Sequence, residues 1–320
     1  MILPYTLRLL CLCLSTFFVA HAVVWLAVRG MSATAVRIAG TMRPRAASRW
    51  LFGVRIAPVA ITLFLVVGFC VPSYVWLEPH ITGERVGWLC LGLALLGVTV
   101  WVLSLLRGLA AMVRTERYVR RMTRVSAADA DLVVVEESAA IMAVAGVVHP
   151  QLVVSQTVLN VLSPEQRDAA FRHEAAHRTS RDNLKRWLFL LAPDVVPFAG
   201  GLRRLERAWS TYTEWAADDD AVDGDQGRAL SLASALVRVA KLGVHGRPAY
   251  LLTSLMDDDR DLEVRVDRLL REPAYAERPL QPLVAMSRNA ALVLAGVAGT
   301  MLLWPESLDS IHRLLEHLVQ

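Results

Sequence analysis

Apolar residues are concentrated in three long runs near the start of the chain, at about Leu9–Val28, Ile56–Leu77 and Val86–Leu106, with a shorter run from Asn289 to Trp304. Each of the first three has about the 20 residues that a helix needs to cross hydrocarbon, so the pattern predicts three spans. The second and third are joined only by Glu78 to Arg85, which makes them a helical hairpin. The fourth run is short unless Met286 to Arg288 contribute, with Arg288 reaching back to the interface. It is read as a fourth span over residues 285–304, followed by a brief extracytoplasmic tail. Between the third and fourth runs, residues 107–284 mix polar and apolar positions as a folded soluble domain does.

Ala20-His21-Ala22 resembles a signal cleavage site, but the apolar run continues past it to Val28, so an uncleaved helix is expected. Arginines decide the orientation. The stretch 29–55, read as a basic cytoplasmic loop, carries Arg29, Arg37, Arg43, Arg45, Arg49 and Arg55 without an acid. The stretch after the third span carries Arg107, Arg114, Arg117, Arg120, Arg121 and Arg124 against Glu116 alone. Both flanks therefore belong in the cytoplasm of a bacterial inner membrane, with the N-terminus outside and the soluble domain inside. Arg114, Arg117, Arg121 and Arg124 recur at helical spacing, as one basic face of a helix continuing from the span.

In the soluble region, Asp131–Glu136, Ile141–Val148 and Gln151–Ser155 are rich in Val and Ile and predict two or three short strands. Ser163, Pro164 and Gln166 then form a capping box with proline at the first helical position, opening a helix expected to run to about Trp187. Further helices are expected at Leu202–Val222, Arg228–Leu242 and Asp261–Leu270. The fold class is a multi-span α-helical membrane protein with a mainly α cytosolic domain holding a small sheet.

Composition agrees: of 320 residues, 55% are hydrophobic and 20% charged, and mean hydropathy is +0.41, which excludes disorder and argues against an ordinary soluble enzyme. The net charge of +4 is explained by arginines flanking the apolar runs, so no nucleic-acid partner is expected. The four cysteines, Cys11, Cys13, Cys70 and Cys90, all lie in apolar runs; Cys70 and Cys90 are the pair that a hairpin could bring together. Asp219 to Leu230 fails as a calcium loop because its third and twelfth places are Ala221 and Leu230. No phosphate-cradling loop appears.

The chemistry lies on the capped helix, where His173-Glu174-Ala175-Ala176-His177 reads H-E-x-x-H. A four-residue step puts both imidazoles on one face, able to share a zinc ion, while Glu174 can reach a zinc-bound water as general base. A catalytic zinc wants a third protein ligand, and none of the other histidines is well placed. Glu214 and Asp218 share a face of a later helix, with Glu214 as ligand and Asp218 holding a ligating imidazole; Glu206 competes for the ligand role. Arg265, Tyr212 and His245 are candidates for stabilising the oxyanion, and the strand Ile141–Val148 could pair with an extended substrate or be buried in the sheet.

Together with Arg181-Asp182-Asn183-Leu184-Lys185-Arg186 and Glu214-Trp215-Ala216-Ala217-Asp218, the H-E-x-x-H helix resembles the β-lactam-sensing antirepressor family of integral-membrane zinc peptidases. So do Gly146 to Ser155 ahead of Leu162-Ser163-Pro164-Glu165, and a peptidase segment lying between a third and a fourth span. The resemblance covers residues 50–305 and is specific over 146–222. Membrane heat-shock peptidases of the gluzincin type share the same two motifs, but three spans ahead of them fit those enzymes less well. The resemblance implies one Zn2+ held by His173, His177 and Glu214, with Glu174 as base and Asp218 behind a ligand. It also implies a protein or peptide substrate at the lipid bilayer and regulatory proteolysis of a repressor-type factor, with heat-shock-type quality control of membrane proteins and a non-cleaving metal-binding signalling scaffold as the alternatives. Sixteen residues follow Trp304, so no extracellular penicillin-binding domain is expected and sensing would fall to a separate protein.

Overall fold

The computed structural model describes residues 4–77, 86–121, 124–129, 132–136, 140–196, 201–242, 252–254 and 259–271. The expected hairpin loop at 78–85, the fourth span and tail, and His245 lie outside the described residues. The chain opens with α1 (Tyr5–Ala39) and α2 (Pro44–Leu65). One π-helical turn (Val66–Cys70) leads into α3 (Val71–Leu77), and α4 (Trp88–Arg121) follows. Among the described residues, Tyr5–Ala39, Pro44–Trp76 and Trp88–Arg121 are long and apolar enough to cross a membrane. Large apolar side chains stay exposed along them, Val23 at 63% and Leu95 at 60%, as expected where lipid is the solvent.

These helices run past the apolar segments that define them. At 1.5 Å per residue the 35 residues of α1 extend about 52 Å, far beyond a hydrocarbon core of about 30 Å. The stretch 29–55, expected as a loop, is accordingly helical on both sides of a short turn at 40–43. α1 and α4 cross closely at Gly97, where an added Cβ would fall 2.6 Å from the Leu14 carbonyl oxygen. All four cysteines are free. Cys70 faces Cys13, with the sulfurs 3.9 Å apart, and Cys90 faces the Ser15 hydroxyl at 3.5 Å, so the pairing of Cys70 with Cys90 is not the one formed.

The sheet contains β1 (Arg124–Asp129), β2 (Leu132–Val135), β3 (Met142–Ala145), β4 (Gln151–Ser155) and β5 (Leu252–Ser254), in the order β1-β2-β4-β3-β5. β2 runs parallel to β4 and the other pairs are antiparallel. The three expected strands are present. β1 takes Arg124 off the helix that carries Arg114, Arg117 and Arg121, so the basic face is one residue shorter than its spacing implies. β5 pairs with residues 143–145 of β3, which makes β3 an interior strand and closes that edge to a substrate.

Among the described residues, six helices follow in the domain: α5 (Gln156–Val161), α6 (Pro164–Ser180), α7 (Asp182–Leu191), α8 (Arg203–Val222), α9 (Gln226–Lys241) and α10 (Asp259–Leu270). The capping box forms as predicted, with Ser163 Oγ accepting from the Gln166 N–H and Gln166 Oε1 accepting from the Ser163 N–H. The expected single helix to Trp187 is instead two, because Arg181 adopts a left-handed conformation (φ 53°, ψ 44°) that turns the chain between α6 and α7. Met142, Val154, Val158, Leu232 and Leu236 fill the core between sheet and helices. A second core unites the spans with the domain: Trp25 and Leu51 from α1 and α2 pack with Phe189, Leu205 and Trp209 from α7 and α8.

Candidate metal centre and active site

The Ser163 cap sets the start of α6 and hence its phase, which turns His173, Glu174 and His177 inward against α8; each is at most 1% exposed. The two imidazole Nε2 atoms approach to 3.1 Å. From α8, Glu214 Oε2 lies 3.4 Å from His173 Nε2 and Oε1 lies 3.6 Å from His177 Nε2. One donor atom from each of these residues fits within a 4.8 Å cluster. Glu206, the competing carboxylate, is bound elsewhere, accepting from Arg55 Nε at 2.7 Å.

The outer nitrogens of both histidines meet carboxylates. Asp218 Oδ1 lies 2.9 Å from His173 Nδ1, and Asp182 Oδ2 lies 2.9 Å from His177 Nδ1. A carboxylate there fixes the proton on Nδ1 and leaves the Nε2 lone pair free for a cation. Asp182 also takes Lys185 Nζ at 2.8 Å. Arg265 binds Asp218 in a fork, Nε to Oδ2 at 2.9 Å and Nη2 to Oδ1 at 2.7 Å, and places Nη1 3.2 Å from Glu214 Oε2. Its guanidinium is thus engaged with the acids of the centre, away from the oxyanion role considered for it. Tyr212 meets Trp215 edge to face, with ring centroids 5.2 Å apart, and packs with the core shared with the spans.

Sequence reading missed Asp182 and the place of Arg265. On an unbroken helix, residue 182 would lie five positions from His177 and off its face; the left-handed turn at Arg181 brings it back beneath the imidazole. Asn183 has a related role, donating through Nδ2 to the carbonyls of Val144 (2.8 Å) and Gly146 (3.0 Å) and so tying α7 to the end of β3.

The electrostatics follow from burial and these pairings. Burial, opposed by the two histidines, pushes Glu174 up to about 7. Burial disfavours charge on His177, but Glu214 and Asp182 outweigh it and push it up to about 10. Asp218, despite burial, is held down to about 2 by Arg265 and His173, and Glu214 is held well below its ordinary value against the same penalty by His177 and Arg265.

A cation fits this arrangement. Ligand nitrogens about 2.0–2.1 Å from a tetrahedral zinc are separated by roughly 3.3 Å, close to the approach of the two Nε2 atoms. Both oxygens of Glu174 are buried and accept no hydrogen bond from the described residues, a costly state for a structural carboxylate and a suitable one for a base awaiting water.

Residues 112–251 match the sequence model of peptidase family M48. That is a family of zinc metallopeptidases, and the matched stretch contains His173, Glu174, His177, Asp182, Glu214 and Asp218. No curated protein matches the chain.

Proposed function

We propose that the protein is a membrane-embedded zinc metalloendopeptidase in which His173, His177 and Glu214 hold one Zn2+ and Glu174 is the general base. The observation that carries this reading is the convergence of three buried ligand groups beside a buried carboxylate that accepts no hydrogen bond from the described residues. Bound there, zinc would lower the pKa of a water toward about 7 and polarise the scissile carbonyl. Glu174, buried beside the three ligand groups, takes the water's proton and returns it to the departing amine. Asp182 and Asp218 hold the imidazoles in the ligating tautomer. Arg265 balances the charge of Glu214 and Asp218 in surroundings that exclude water.

In the same reading the domain spans residues 107–284 in the bacterial cytoplasm, the N-terminus lies outside, and a fourth span at 285–304 returns the chain. The substrate is a cytosolic or membrane-proximal protein, and the resemblance to antirepressors favours regulatory cleavage of a repressor-type factor under a separate sensor. A non-cleaving scaffold has no need of Glu174 at the centre.

The test is metal content and hydrolysis on one preparation in detergent. Zinc near one per chain in the wild type and Glu174→Ala, reduced in Glu214→Ala, with cleavage of an unfolded protein by the wild type alone, is the expected result. A wild type without zinc refutes the reading.

A further inference from the structure

Along the second span, Thr62, Val66, Cys70 and Tyr74 follow one another at four-residue steps, and all four are buried. On an unbroken α-helix each such step drifts by about 40°, so the stripe would wind away from α1. The π-helical turn Val66–Cys70, in which the Val71 N–H reaches back to the Val66 carbonyl, takes up that drift. Pro72, with no N–H to give, follows at once. The stripe therefore stays against α1, where Val66, Cys70 and Tyr74 pack with Leu12 and Phe17.

Two thiols meet in this packing. Cys13 Sγ and Cys70 Sγ lie 3.9 Å apart, and Cys70 Sγ lies the same distance from Thr16 Oγ1, whereas Cys90 turns to Ser15. A disulfide needs sulfurs about 2.0 Å apart on Cβ atoms that point toward one another. Sulfurs already in contact meet the second demand, and torsions about the two Cα–Cβ bonds can supply the remaining ~1.9 Å. Tyr5 and Tyr74 close the bundle beyond the pair, with ring centroids 4.9 Å apart and Tyr74 Oη donating to the Tyr5 carbonyl at 3.3 Å, as tyrosines do at a headgroup level. Cys70 lies about one turn below Tyr74 and Cys13 about two turns beyond Tyr5, which puts both thiols in hydrocarbon. On the orientation proposed above, this end of the bundle faces away from the reducing cytoplasm. Cys70 is buried and Cys13 half-buried. Thiolates are disfavoured in such surroundings, so exchange with a water-soluble disulfide is slow, while a lipid-soluble oxidant reaches Cys13 through the acyl chains.

We propose that Cys13 and Cys70 are a redox pair, joined as a disulfide when a membrane quinone oxidises them. The two thiols give up two hydrogens, one S–S bond forms, and the quinone leaves as the quinol. The inference stands apart from the peptidase reading. The bond ties α1 to the continuation of α2 across 57 residues of chain, a loop that contains Trp25 and Leu51. These are the residues on which Phe189 and Trp209 of the domain pack. Oxidation removes freedom from the unfolded chain and holds together the two helices that carry this shared core.

The test uses the full-length protein in vesicles without oxygen, with and without ubiquinone. Samples are quenched in acid, denatured, alkylated and mapped by mass spectrometry, and quinol is followed by its absorbance. With quinone, alkylation is expected to fall from all four cysteines to two, with Cys13 and Cys70 in one linked peptide pair and one quinol formed for each link. Cys90→Ser keeps the link, and Cys13→Ser loses it with circular dichroism unchanged. The linked protein melts at a higher temperature, and dithiothreitol removes the gain. Alkylation of all four cysteines in the presence of quinone overturns the proposal, as does a link through Cys11 or Cys90, or a quinone adduct on a single thiol. So does an equal yield of the link from protein unfolded in dodecyl sulfate, because chance encounter rather than the packed pair would then form it.

Discussion

Replacing Asp182 by Asn tests how much of the metal affinity resides behind the ligands. The side chain keeps its size, and its carbonyl oxygen can still accept from His177 Nδ1, now 2.9 Å away, so α7 and its contacts should persist. The negative charge is lost from a residue only 2% exposed, which lowers the basicity of the imidazole at Nε2. Loss of such a supporting carboxylate costs about 10- to 100-fold in metal affinity, or about 1.4–2.7 kcal/mol. Lys185, 24% exposed, can turn to solvent and adds little to the penalty. The assay is competition for zinc against a chelator of known affinity, with circular dichroism confirming the fold. Unchanged affinity in a folded Asp182→Asn protein would refute the role given to this contact.

Arg265→Lys is expected to lose the fork to Asp218, destabilising the fold by about 2–3 kcal/mol and weakening zinc binding, as read by thermal melts with and without the metal. Gly97→Ala should push α1 and α4 apart at the Leu14 carbonyl and cost about 1–3 kcal/mol, seen as a lower melting temperature in detergent while zinc stoichiometry is kept. Asp194→Ala leaves Arg55, 2% exposed, with Glu206 as its remaining carboxylate partner among the described residues, so a loss of about 3–5 kcal/mol and faster limited proteolysis between the spans and α8 are expected.

What the sequence disclosed was local. Ser163, Pro164 and Gln166 place the start of α6, and the four-residue step of its histidines places both imidazoles on one face, because neither depends on distant contacts. The choice between Glu214 and Glu206 depended on one: Arg55, more than 150 residues earlier, claims Glu206. Asp182 was hidden by a single left-handed residue, since periodicity predicts only a helix that continues. Arg265 reaches Asp218 across 47 residues and is invisible to any short motif. β1 has a single β-branched side chain, Val125, and β5 is three residues long, so both escaped a pattern search that found the Val-rich strands.

The shared core of Trp25, Leu51, Phe189, Leu205 and Trp209 bears on how the protein is made. The helices that form the dock, α1, α2 and α4, leave the ribosome before α7 and α8. Until those helices are inserted, Phe189 and Trp209 have nowhere to bury, and α8 cannot bring Glu214 to the histidines of α6. On the proposed reading, a nascent chain that has missed the bilayer would lack the complete ligand set. Cut free of its spans, the stretch matching the peptidase family, residues 112–251, would expose Phe189, Leu205 and Trp209, the apolar face that it buries against α1 and α2.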